Sequence, residues 1–196
     1  MNVNLRRLLL PIVVLVLGVG TLIGAAYLAL APQQQQASAI GGPFRLEGPN
    51  GRIVQPSDFA GRPFLVFFGY THCPDVCPTA LFEMSEALRA LGEDKKISAL
   101  FISVDPERDT AKIVNDYVSS FDKRIIGLSG PREEIDRVIK AYRVYAKKIP
   151  DAKGGPDYAM DHTALFYLMD KQGRFVGAFN MSRPPAEAAR DLAKYL

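Results

Sequence analysis

Hydrophobic positions along this chain follow two periods in turn. Residues 44–47 (FRLE) alternate apolar and polar, and a second short run at 52–54 follows Pro49-Asn50-Gly51. Asn-Gly between two such runs predicts a hairpin, because both residues accept the left-handed backbone of a tight turn. Residues 64–70 (FLVFFGY) and 98–104 (SALFISV) are continuous apolar stretches, as expected of strands buried on both faces. Between them, residues 78–91 place Leu81, Met84, Leu88 and Leu91 on one helical stripe that Gly92 ends. Residues 110–121 repeat the pattern with Ile113, Val114, Tyr117, Val118 and Phe121, and residues 131–142 with Ile135, Val138, Ile139 and Tyr142; a short strand is predicted between them at 125–128. The polar, Gly- and Pro-rich stretch 147–157 (KKIPDAKGGPD) is expected to be mobile. Residues 162–169 (HTALFYLM) read as a strand, Asp170 to Gly173 as a turn, 174–179 as its antiparallel partner, and 184–196 as a closing helix. Strands alternating with helices predict an α/β domain, a mostly parallel sheet covered on both faces, with the last hairpin as an antiparallel edge.

The first part of the chain follows neither period. Residues 8–31 carry no charge and are mostly Leu, Val, Ile, Ala and Gly. As a helix they reach roughly 36 Å, enough for a hydrocarbon core of about 30 Å. Arg6 and Arg7 precede the run and the next basic residue is Arg45, so the positive-inside rule puts residues 1–7 in the cytoplasm and the rest outside. Ala29-Leu30-Ala31 resembles a signal-peptidase site, but the run exceeds a signal peptide's apolar core and an uncleaved transmembrane anchor is the expectation. Residues 32–42 (PQQQQASAIGG) read as a flexible tether with about 20 Å of reach. That leaves residues 43–196 as the folded domain, on the far side of the membrane from the cytoplasm.

Composition narrows the function classes. The chain has 196 residues, 48% of them apolar and 23% charged, which excludes a disordered, collagen-like or disulfide-dense protein. Without Arg6 and Arg7, 22 basic face 21 acidic side chains. The near-neutral domain lacks the dense basic face that nucleic acid requires.

Candidate chemistry concentrates in one loop. In sheets of this class, sites form where loops leave the C-terminal ends of central strands. The loop after residues 64–70 reads Thr71-His72-Cys73-Pro74-Asp75-Val76-Cys77-Pro78 and holds both cysteines of the chain and one of its two histidines. A helix N-terminus beside a thiol is expected to lower its pKa. Three readings compete: a structural disulfide, which an exported domain permits; a redox dithiol; and a metal site of two soft thiolates, which suits Cu(I) or Zn(II) but needs a further donor. His162 is the candidate donor, with His72 the alternative. Asp75 reads as a turn residue, Asp109 as the N-cap of the helix at 110–121, and Asp161 as making a structural hydrogen bond rather than orienting His162. Arg108, beside the loop, reads as a possible partner contact.

Three blocks, GYTHCPDVCPTAL, FISVDPERDT and DHTALFYLMDKQGRF, resemble in content and order the Sco/SenC family of copper-binding assembly factors, over residues 43–196. The resemblance implies a thioredoxin-like fold, a mixed sheet with helices on both faces and an added hairpin. It implies that Cys73, Cys77 and His162 bind one copper ion, as Cu(I) or Cu(II), and that the protein helps assemble the binuclear copper centre of cytochrome c oxidase subunit two. A periplasmic copper donor or a thioredoxin-like reductase would be its further partners. In some relatives the dithiol instead keeps that centre's cysteines reduced, which here would make Cys73 and Cys77 a redox pair. A peroxidase or a copper sensor are the remaining alternatives.

Overall fold

A computed structural model describes residues 15–22, 40–151, 155 and 157–196. The chain divides into Met1–Ala37 and Ser38–Leu196, and every strand among the described residues belongs to the second unit. Residues 15–22 are helical. Among the described residues no helix is long and apolar enough to cross a membrane; most of the anchor expected at 8–31, and residues 32–39 of the tether, lie outside them.

The domain opens with the hairpin β1 (Leu46–Glu47) and β2 (Ile53–Val54), paired Leu46 to Val54 and Glu47 to Ile53. Its turn is the Asn-Gly pair: the Arg52 N–H donates to the Pro49 carbonyl at 3.1 Å, and Asn50 and Gly51 have φ of 56° and 74°, as the sequence requires. The main sheet follows as β3 (Phe64–Gly69), β4 (Ser98–Ser103), β5 (Ile125–Leu128), β8 (Phe166–Met169) and β9 (Phe175–Phe179), in spatial order β5-β4-β3-β8-β9. β3, β4 and β5 are parallel; β8 pairs antiparallel with β3, and β9 antiparallel with β8. Every residue of β3 is buried, which is why its sequence shows no alternation.

Helices α1 (Val76–Leu91) and α2 (Ala111–Val118) lie on the sheet face formed by Phe67, Gly69, Phe101 and Gly127, where a Cβ on Gly69 would meet Cys77 and one on Gly127 would meet Val114. Helix α4 (Pro185–Ala193) packs on α1. Helix α3 (Arg132–Ala141) leads to Tyr142, whose ring packs 5.4 Å from that of Phe68 on the opposite face. Both faces are therefore covered.

Three expectations are corrected. Of the stretch expected to be mobile, residues 147–150 belong to strand β6 (Ala146–Pro150), which pairs antiparallel with β7 (Tyr158–His162), Ala146 opposite His162 and Pro150 opposite Tyr158; residues 152–154 and 156 lie outside the described residues. β6 is polar because it forms a separate two-stranded ribbon with most of its residues exposed. The predicted strand at 162–169 is two strands: His162 ends β7 and Phe166 starts β8. Between them the Thr163 N–H donates to the Tyr145 carbonyl at 3.0 Å, turning the chain from ribbon to sheet.

Finally, Thr110, not Asp109, caps α2, accepting from the Ile113 N–H at 3.3 Å. Asp109 is turned inward and fully buried. It accepts bonds from the Thr71 N–H (2.9 Å), the Thr71 hydroxyl (2.5 Å) and the Ser103 hydroxyl (2.6 Å). Thr110→Ala should lower stability by about 1 kcal/mol, the loss of one cap. Asp109→Ala should cost more, about 2–4 kcal/mol, because it strands several buried donors at once. Urea unfolding of the two variants checks the ranking, and equal midpoints would contradict it.

Candidate metal centre

The site is assembled from two segments 85 residues apart. The first leaves the sheet at Gly69. Its loop is held at the start by Asp109 through Thr71 and turns where the Cys73 N–H meets the Tyr70 carbonyl at 3.3 Å. Asp75 is the N-cap residue of α1 and makes no side-chain cap bond. The Cys73 sulfur takes that role, accepting the Cys77 N–H at 3.4 Å. Cys77, in the first turn of α1, is fully buried, whereas Cys73 is half-buried.

The second segment arrives because of sheet register. β8 runs antiparallel to β3 with Phe166 opposite Phe67, so the residues just before Phe166 lie at the end of β3 that carries the cysteine loop. His162 is thereby delivered with its Nε2 at 3.7 Å from the Cys77 Sγ. Its ring stands edge-on to Tyr70 and Phe67, at 5.8 and 6.5 Å. Its Nδ1 lies 3.2 Å from the Thr163 carbonyl. A carbonyl only accepts, so Nδ1 carries the hydrogen and Nε2 keeps a lone pair facing Cys77, free to accept its S–H or to ligate an ion. Asp161 is exposed, opposite Lys147 on β6; the backbone carbonyl, not this carboxylate, orients the ring.

The Cys73, Cys77 and His162 donor atoms all lie within 4.8 Å of one another. With bonds of roughly 2.3 Å to sulfur and 2.0 Å to nitrogen, a three-coordinate ion holds sulfur and nitrogen about 3.7 Å apart and two sulfurs about 4.0 Å apart. The residues present therefore fit a single ion with small adjustments. Two thiolates and an imidazole suit Cu(I) or Zn(II). His72 takes no part: its side chain is 54% exposed, and its Nδ1 lies 3.1 Å from the Thr71 hydroxyl and 3.8 Å from Asp109.

Burial sets the electrostatics. The Cys77 thiol is pushed well above its ordinary pKa, first by desolvation and then by the neighbouring Cys73. This reverses the expected helix-end effect: the low-dielectric surroundings of a fully buried sulfur outweigh the partial charge of one helix terminus. Burial lowers the His162 pKa, which keeps the imidazole neutral and able to ligate. Tyr70, which packs between these groups, has its hydroxyl raised by burial and by the cysteines. A cavity of about 280 Å³, lined by Tyr70, Cys73, Pro74, Val76, Met160 and His162 among others, opens the site outward.

Arg108 does not point to solvent. Its guanidinium lies against Asp105 and Tyr158, on the ribbon that carries His162. Sequence patterns gave no signal for Tyr70, Asp105, Tyr158 or Thr163 as parts of the site, because each acts through a contact distant in sequence or through its backbone.

A family model, SCO1/SenC, matches residues 32–196. The mitochondrial protein SCO1 homolog of Homo sapiens is 38% identical over 160 residues, covering 80% of this chain and 53% of the human one. The SCO2-like protein of Rickettsia felis is 33% identical over 178 residues, covering 84% and 87%. Among solved structures, Bradyrhizobium japonicum ScoI with copper bound is 60% identical with a TM-score of 0.76, covering 80% of this chain and 99% of that one. The chain spans about half the length of the human, mouse and Saccharomyces cerevisiae mitochondrial relatives it matches. The mixed five-stranded sheet with helices on both faces is a thioredoxin-like fold, shared with ScoI at that TM-score, and this chain belongs to the SCO1/SenC family.

Proposed function

We propose that this protein is a copper carrier that holds one copper ion between Cys73, Cys77 and His162 and helps assemble the binuclear copper centre of cytochrome c oxidase subunit two. The observation that carries this reading is the meeting of all three donor atoms within 4.8 Å, from segments far apart in sequence. It is supported by the copper-bound relative at 60% identity. Residues 8–31 anchor it to the bacterial cytoplasmic membrane and residues 43–196 work in the periplasm. Copper is the cargo here. The chain's own residues supply two sulfurs and a neutral nitrogen, a low-coordinate set that suits Cu(I). Cys73, the less buried sulfur, is the one that a copper donor or an acceptor reaches first.

X-ray absorption on the copper-loaded full chain tests the reading. Two sulfur donors and one nitrogen donor around one copper are expected; a shell of oxygen and nitrogen alone overturns it.

A further inference from the structure

The strand that delivers His162 is gripped at its other end by a cluster that copper ligation does not itself require. Tyr158 and His162 lie four residues apart on β7 and share one side of the strand. The Tyr158 hydroxyl donates to Oδ1 of Asp105 at 2.8 Å. Asp105 is fully buried, and its Oδ2 accepts from Nε of Arg108 at 2.5 Å. The Arg108 guanidinium lies 3.6 Å from the centroid of the Tyr158 ring. Its Nη1 donates to the Tyr158 carbonyl at 3.0 Å and to the Asp157 carboxylate at 2.9 Å. One arginine therefore holds β7 by a ring, a carbonyl and a carboxylate.

The position of the cluster matters as much as its bonds. Asp105 and Arg108 belong to the same β4–α2 connection as Asp109, which holds Thr71 at the start of the cysteine loop. One connection thus fixes both halves of the donor set: the sulfurs through Asp109 and Thr71, the imidazole through Asp105, Arg108 and Tyr158. A buried ion pair is an inefficient way to gain stability alone, since apolar residues of similar volume serve as well or better. A planar guanidinium stacked on a ring and bonded along its edge is, by contrast, an effective way to fix a direction.

We propose that Arg108, with Asp105 and Tyr158, is a positioning latch. It keeps β7 in place so that the His162 Nε2 stays against Cys77, and thereby sets how fast copper leaves the site. When the latch opens, the imidazole swings away and the ion remains on two sulfurs, exposed to a competing ligand. This deepens the copper reading and rests on it. None of the three latch residues touches the ion.

The test uses the full chain in detergent with Arg108→Lys and Tyr158→Leu. Arg108→Ala is avoided because it leaves the buried Asp105 carboxylate without its cation. Arg108→Lys keeps the charge but loses the planar stack and the paired donors. The copper-free protein gives the first readout: amide hydrogen exchange of residues 158–162 should quicken about tenfold in both variants, the scale of losing one stacked, charge-assisted contact. The copper(I)-loaded protein gives the second: release to a competing chelator should also quicken about tenfold, with one copper per chain still bound at the outset. A third arm places each variant in a His162→Ala background. There the latch has no imidazole to position, and its loss should leave copper release unchanged. Unaltered exchange overturns the latch whether or not copper binds. Faster exchange without faster release, or an acceleration that persists in His162→Ala, overturns its positioning role. Failure of the parent chain to bind copper overturns the carrier reading and with it the latch's role in copper release, while exchange in the copper-free protein still decides whether the latch holds β7.

Discussion

Copper binding is expected to fall by more than about 100-fold in each of Cys73→Ser, Cys77→Ser and His162→Ala, while His72→Ala binds as the parent does. The magnitude follows from ligand number. Changes in partners that merely orient ligands weaken metal sites by about 10–100-fold, and removing one of three donors removes a bond outright. The contrast between the histidines is the sharper part. Both were candidates in the sequence, but only His162 has a nitrogen within reach of Cys77, while His72 is turned to Thr71 and Asp109. Competition against a calibrated Cu(I) chelator measures all four variants. Cys77→Ser places a hydroxyl where a fully buried sulfur was, so circular dichroism must first show it folded. A His72→Ala variant as impaired as His162→Ala would refute the assignment.

Gly69→Ala should be among the most damaging single-methyl changes in the domain. A Cβ at this last residue of β3 would lie 2.8 Å from the Cys77 Sγ and 2.8 Å from Cε2 of Phe101. Neither neighbour can yield easily: Phe101 is wholly buried in the central sheet, and Cys77 sits on the first turn of a packed helix. Overpacking of this kind costs about 1–3 kcal/mol, a large share of the roughly 5–15 kcal/mol that holds a domain folded. The sulfur must also move, so copper affinity and stability should fall together. Glycine is needed here for space beside the sulfur. Urea midpoints and chelator competition on Gly69→Ala check both effects; unchanged copper affinity would show that the sulfur's place is not set by this contact.

Much of the fold was legible because its signals are local. β3 and β4 are continuous apolar runs since both their faces are buried. The stripe on α1 marks the side that packs inward, and Leu81, Met84 and Leu88 are all fully buried there. Asn50 and Gly51 turn because their backbones can. β6 was not legible: Lys147, Lys148 and Ile149 are exposed, so no burial pattern is imprinted on them, and their strand exists by pairing with β7. Asp109 was misread as a cap because local sequence gives an Asp before a helix one obvious task. Its actual partners, Thr71 and Ser103, come from other elements. The Cys77 thiol was misjudged for a similar reason. A helix terminus is visible in sequence, but full desolvation is not.

By itself the sequence determined most of the strands and the four helices of the domain, the cysteine pair where a central strand meets a helix, and the family to which three ordered blocks point. Only the tertiary structure decided which histidine joins the sulfurs, that the imidazole presents Nε2, and that one connection after β4 fixes both halves of the site. The reason is physical. Periodicity and turn chemistry act over a few residues, whereas closing a gap of 85 positions depends on the register of β8 against β3, a property of the assembled sheet.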